Sequence, residues 1–187
     1  MDLYIIRHAW AADRDDPQWP DDDLRPLTDE GRKRFAKVAS MLIARDMAPE
    51  IIAASPLVRC VETAEILAAA AGRKGDSPHL CEAPSGPFRQ MGTVPFSPKV
   101  VQLDELRPGS DLEGLMRWTV RQARKWQRIA WVGHAPDVDR LTGALIGASE
   151  GFIRFSKGGA AAIRFDGPPD IGAGELRWLV TAKVLGC

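Results

Sequence analysis

The chain has 187 residues, with 25 lysines and arginines against 25 aspartates and glutamates, 45% hydrophobic residues and no apolar run approaching membrane-spanning length. That length and composition suit one compact domain over residues 1–187 with a sizeable core, and exclude a disordered chain. Zero net charge without a basic block removes the broad electrostatic footprint of a nucleic-acid or anionic-membrane binder, so an anion would have to be met by a local site.

Leu3 to Ile6 is a short apolar run that predicts a buried strand, ending abruptly at the polar pair Arg7-His8. From Asp13 to Asp23 six aspartates and two prolines predict an exposed, solvated acidic loop that hangs near the strand's end. Thr28 is an N-cap candidate with Asp29 and Glu30 in the first turn, and Phe35, Val38, Ala39, Leu42 and Ile43 recur at helical spacing to about Arg45. Ile51 to Ala54 predicts a second strand, after which Ser55-Pro56 opens a helix running to Gly72 with Arg59 in its first turn. This alternation of strand and helix is the mark of an α/β sheet with crossovers, whose strand C-termini and helix N-termini share one edge.

Between about 73 and 98 the periodicity dissolves into proline- and glycine-rich chain, expected to be an insertion or lid. Val100 to Leu103 predicts a strand, and Ser110-x-x-Glu113 a capping box opening a helix to about Gln127. Ile129 to Val132 predicts another buried strand ending at Gly133-His134, with Pro136 opening the next helix. Ala160–Phe165 and Leu176–Ala182 predict two edge strands. Cys60, Cys81 and Cys187 form no close pair, which suits free thiols in a reducing compartment, and the N-terminus has no secretory pattern, so a cytoplasmic location is expected. His79 lacks ligand-spaced partners and the acidic loop lacks the alternating spacing of a calcium loop, so no metal is expected.

Two histidines therefore end two different strands, with Arg7 beside the first and Arg59 on the following crossover helix. The combination suits phosphate: guanidinium forks match phosphate oxygens, and a neutral imidazole can attack phosphorus to give a phosphohistidine. The two arginines should hold His8 in its neutral, attacking form, whereas His134 should be charged or at least a hydrogen-bond donor. Trp10, directly after this segment, is a candidate for lining the entrance.

Arg7-His8-Ala9, Leu24-Arg25-Pro26-Leu27-Thr28 with Gly31-Arg32, Ser55-Pro56-Leu57-x-Arg59 with Thr63-Ala64, and Gly133-His134 resemble, in that order, the motifs of the histidine phosphatase superfamily, the phosphoglycerate-mutase-like clan. The Arg-Pro-Leu-Thr segment, the compact size and Leu103-x-Glu105-Leu106-x-Pro108 are most similar to SixA-type phosphohistidine phosphatases. The resemblance implies a three-layer α/β sandwich with a mostly parallel central sheet. It further implies that His8 is the phosphorylated nucleophile, that Arg7 and Arg59 hold the phosphoryl group and that His134 completes the pocket. Arg25 would stand at the rim, Ala9, where the family usually has glycine, in the substrate-binding segment, and Glu105 at the position of a carboxylic general acid. No cofactor is implied, and the partner is a phosphorylated substrate, foremost a phosphohistidine-bearing protein. A phosphatase of small phosphate monoesters and a non-catalytic phosphate-binding module remain the alternatives. The oligomeric state is not legible in the sequence.

Overall fold

The computed structural model describes residues 1–73, 97–148 and 153–187. Its elements in chain order are β1 (Asp2–Arg7), α1 (Asp29–Ala44), β2 (Ile51–Ala54), α2 (Val58–Arg73), β3 (Lys99–Gln102), α3 (Leu112–Ala123), β4 (Arg128–Gly133), α4 (Asp137–Leu145), β5 (Ala160–Arg164) and β6 (Glu175–Val180). Short 3-10 turns lie at Asp22–Leu24 and Asp104–Leu106. The expected segment at about 73–98, with His79 and Cys81, lies almost wholly outside the described residues.

The sheet has six strands in the order β3-β2-β4-β1-β5-β6. β3, β2, β4 and β1 run parallel to one another, while β5 pairs antiparallel with β1 and with β6. Side chains alternate across the strands, and each face takes its own pair of helices. Tyr4, Ile6, Ile52, Ala54, Ala130 and Val132 pack beneath α1 and α2, where Phe35, Leu42 and Leu67 are buried. Leu3, Ile5, Ile51, Ala53, Ile129 and Trp131 face α3 and α4, against Leu115, Val138 and Leu141. The result is a three-layer α/β sandwich with a mostly parallel sheet.

Local differences from the expected elements have simple causes. Asp111, not Ser110, caps α3, its carboxylate accepting the Gly114 N–H at 3.0 Å, while the Ser110 hydroxyl donates to the Arg107 carbonyl. α3 also ends at Ala123, four residues early. β5 is not an edge strand: it lies between β1 and β6, which explains why Ala160 to Ile163 are all buried. Thr28 caps α1 as expected, its hydroxyl oxygen accepting the Gly31 N–H at 2.9 Å.

That helix start also anchors the chain after β1. The Trp10 carbonyl accepts the Thr28 N–H at 2.9 Å, and Ala11 bridges Leu27, closing the base of the acidic loop. A Cβ on Gly31 would stand 2.2 Å from the Trp10 carbonyl oxygen, so no side chain fits there without moving that anchor. Gly31→Ala is expected to cost about 1–3 kcal/mol, the range for overpacking. Thermal unfolding checks this, and a midpoint within a degree of the unsubstituted protein would contradict it.

Candidate active site

The parallel pairs set β1, β4 and β2 to end along one edge. Arg7 is in register with Gly133, the His8 N–H donates to the Gly133 carbonyl at 2.9 Å, and the Ser55 N–H donates to the Val132 carbonyl at 3.0 Å. The residue after each of those strands is thus His8, His134 or Ser55. The two imidazoles stand side by side, ring centroids 5.3 Å apart and planes at 57°. Both are buried, as a strand end covered by two helix N-termini requires.

Each ring is held by one specific contact. His8 Nδ1 lies 2.8 Å from the Ala9 carbonyl oxygen, an acceptor only, so Nδ1 carries the proton and Nε2 keeps its lone pair. His134 Nε2 shares a 2.9 Å hydrogen bond with the Ser55 hydroxyl, and the Cys60 sulfur lies 3.5 Å from the same nitrogen. Burial pushes that thiol up to about 12, against the pull of Arg59 and Ser55, which keeps it a neutral packing group.

A cavity of about 790 Å³ opens over this edge, and Arg7, His8, Arg25, Arg59 and His134 all line it. Arg7 NH1 donates to the Phe155 carbonyl at 2.7 Å. Arg59 is only 3% exposed. The Nε atoms of both Arg7 and Arg59 are buried with no hydrogen-bond partner among the described residues, a costly state for a cationic donor that a bound anion would relieve. Arg14, Arg140 and Lys157 add positive charge to the wall, against Asp13 and Asp137. A chain of zero net charge places six of its 25 lysines and arginines at one opening, against two aspartates, as a local anion site demands.

Ala9 and Glu105 stand apart from the cavity. Ala9 is fully buried in the core, and its N–H donates to the Thr63 hydroxyl at 3.1 Å, leaving no surface for a substrate. Glu105 turns along the first turn of α3, where its Cγ would lie 2.7 Å from a Cβ on Gly114. Trp10 does not line the entrance either; its ring faces α1 under the Arg34 guanidinium, 4.1 Å from ring centroid to Cζ.

Three contributors escaped the sequence reading. Asp22, inside the loop taken as solvated, accepts Arg59 NH2 on Oδ2 at 2.8 Å and Arg25 Nε and NH2 on Oδ1 at 3.0 and 2.8 Å. Asp137, 3% exposed at the start of α4, accepts the Gly109 N–H at 2.9 Å and is ion-paired with Arg140. Ser55 belonged to a recognised motif, but its partner is one residue past a strand distant in sequence. Among the described residues no three histidine, cysteine or carboxylate side chains converge to hold a metal ion.

The electrostatics differ in cause from expectation. Burial is the largest influence on His8; the Ala9 carbonyl opposes it, His134, Arg59 and Arg7 add to it, and the imidazole is pushed from 6.5 down to about 3. Neutral His8 is thus mainly a consequence of desolvation, with the arginines secondary. His134 is lowered to about 4, again by burial first and then by Arg59, with Asp137 and Asp22 opposing. At neutral pH it is uncharged in the free protein rather than cationic.

The sequence pattern of the histidine phosphatase superfamily (branch 1) matches residues 3–94. A protein of Picosynechococcus sp., described as uncharacterized, is 33% identical over 166 residues, covering 88% of this chain and 85% of that one. The chain belongs to the histidine phosphatase superfamily. Membership implies a phosphatase-type hydrolase. The fold is similar to that of the protein histidine phosphatase SixA in its tungstate complex, with a TM-score of 0.73 at 22% identity over 99% of both chains. It is also similar to the alpha-ribazole phosphatase of Shigella flexneri, with a TM-score of 0.61 at 17% identity over 97% of each chain.

The site histidines set a pH dependence. Both are neutral in the folded chain down to about 4 and about 3, whereas an unperturbed imidazole protonates near 6.5. The unfolded chain therefore binds more protons below 6.5, and folding stability falls as pH falls through that window, by roughly 1.4 kcal/mol per unit for each histidine. Neither site imidazole should take up a proton between pH 8 and 5 in an NMR titration of the free protein; a midpoint near 6.5 for either would contradict the burial argument.

Proposed function

We propose that this superfamily member hydrolyses a phosphoryl group through a covalent phosphohistidine at His8, and that its substrate is a phosphohistidine on a partner protein. The observation that carries the reading is the pairing of an unprotonated His8 Nε2 with two arginines whose buried Nε–H groups lack partners, all at one cavity. The Nε2 lone pair forms a bond to phosphorus as the bond to the leaving nitrogen breaks, and the departing imidazole takes a proton from water. Water then attacks the phosphohistidine and gives up a proton that neutralises the hydroxide left by the first step, the P–N bond breaks, and free His8 and inorganic phosphate result. Arg7, Arg59 and His134 donate toward the equatorial oxygens, where negative charge concentrates in the transition state. Arg25 supports them from the rim.

The placement of Glu105 favours the phosphoramidate over an ester. An alkoxide leaving group needs a carboxylic acid within reach, whereas an imidazole nitrogen leaves with less help. Glu105 lies off the cavity, and both carboxylate oxygens of Asp137 already accept hydrogen bonds. The SixA similarity supports the same substrate class. Free thiols at Cys60 and Cys187 suit the cytoplasm, where phosphohistidine carriers would be met.

The test is phosphate release from a phosphohistidine-bearing carrier protein and from a panel of phosphomonoesters. Preference for the carrier is expected, with His8→Ala lowering turnover by on the order of a thousandfold or more. Glu105→Gln should change carrier turnover by less than about threefold, since an acid is worth about a hundredfold where it is used. Monoester preference together with a large Glu105→Gln loss would move the function to small-molecule dephosphorylation; release from neither substrate would leave a phosphate-binding module.

A further inference from the structure

Arg59 is the most deeply buried cation of the cavity, and the contacts that hold it are made by one residue of the acidic loop. Its NH1 donates to the Asp22 carbonyl at 2.6 Å and its NH2 to Asp22 Oδ2 at 2.8 Å, while its Nε is buried and unpartnered. The other carboxylate oxygen of Asp22 accepts Nε and NH2 of Arg25, whose NH1 donates to the Ala12 carbonyl at 2.6 Å. One carboxylate thus takes the Nε–NH2 edge of Arg25 and one NH2 hydrogen of Arg59, donors that phosphate oxygens would otherwise accept. Asp22 is not itself part of the cavity wall.

The two partners differ in where they can go. The Arg59 side chain is 3% exposed and fixed in α2, whereas the Asp22 side chain is 36% exposed and starts the short 3-10 turn Asp22–Leu24. If an anion is to take the forks of Arg59, the carboxylate is the group that moves aside into water. A singly charged anion that replaces it gains no charge interaction, because it exchanges one negative charge for another. A phosphoryl dianion brings two and gains the difference within a poorly solvated site.

We propose that Asp22 is a specificity-determining residue: its carboxylate is the resting acceptor for the Arg25 Nε–NH2 edge and for Arg59 NH2, is exchanged there for an oxygen of the substrate's phosphoryl group, and so admits doubly charged phosphoryl groups while turning away singly charged anions. The inference rests on the reading of this cavity as a phosphoryl site. It also assigns different work to neighbouring aspartates. Asp21 caps the 3-10 turn, and Asp23 pairs with exposed Arg107 at 2.7 Å, so neither touches Arg59.

Calorimetric binding of inorganic phosphate and of dimethyl phosphate at pH 8, where phosphate is a dianion, tests this on the full chain. Asp22→Asn should tighten phosphate about tenfold, equivalent to about 1.4 kcal/mol, and should create measurable dimethyl phosphate binding that the unsubstituted protein lacks. Asp22→Ser, which removes the carboxylate altogether, should move both affinities in the same direction, and Asp23→Asn should move neither. Weaker phosphate binding in the Asp22 variants would overturn the proposal and make Asp22 a brace for the arginines. An equal gain in Asp23→Asn would overturn it in favour of general loosening of the loop, and so would absence of phosphate binding in every form. Failure of all phosphorylated substrates to turn over, with the gain in Asp22→Asn intact, would count against the phosphatase reading alone.

Discussion

The parallel pairing of β1 with β4 is the constraint on which the site depends. With Arg7 opposite Gly133, the next residue of each strand is a histidine, and both leave the sheet at the same level. A slip of one residue would send one imidazole to the opposite face and destroy the pair. Nothing local enforces that register: 125 residues separate the two histidines, as their numbering shows. It is enforced by the two apolar faces of the sheet, each of which fits only one pair of helices.

Burial then decides the chemistry. Pulling two imidazoles out of water makes both uncharged without requiring a dedicated base, and the surrounding arginines reinforce that state. The same desolvation makes the guanidinium charges strong and leaves two of their donors unsatisfied. An anion entering the cavity relieves both conditions together, because it offers acceptors to the arginines and raises the proton affinity of the imidazoles beside it. The resting protein is thus electrostatically incomplete, with Asp22 covering part of the deficit.

The sheet, four of its helices and the residues at its active edge were legible because their signals are short in range. Apolar runs of four residues that stop at Arg7-His8, Ser55-Pro56 and Gly133-His134 mark strand ends, and Ser55-Pro56 places Arg59 in a first helical turn. Features that depend on a distant partner were not legible. The interior place of β5 follows from its pairing with β1, and the burial of Ala160 to Ile163 looks the same in sequence as one face of an edge strand. Six aspartates between 13 and 23 read alike, and only the meeting of the loop with α2 singles out Asp22. Glu105 shared its position with a familiar acid, yet its side chain packs against Gly114 at the start of α3, a residue with no Cβ to keep it away, and does not line the cavity.

The anchorage of Trp10 gives the loop after the nucleophile a mechanical character. Thr28 holds the Trp10 carbonyl from the start of α1 in the space that Gly31 leaves open, the Ala11 to Leu27 bridge closes the next step, and Thr63 holds the Ala9 N–H. Everything between Ala12 and Pro26 hangs from that seam. The seam separates the backbone of the nucleophile from the acidic segment, so a displacement of Asp22 such as the proposed exchange requires would meet these bonds before it reached His8.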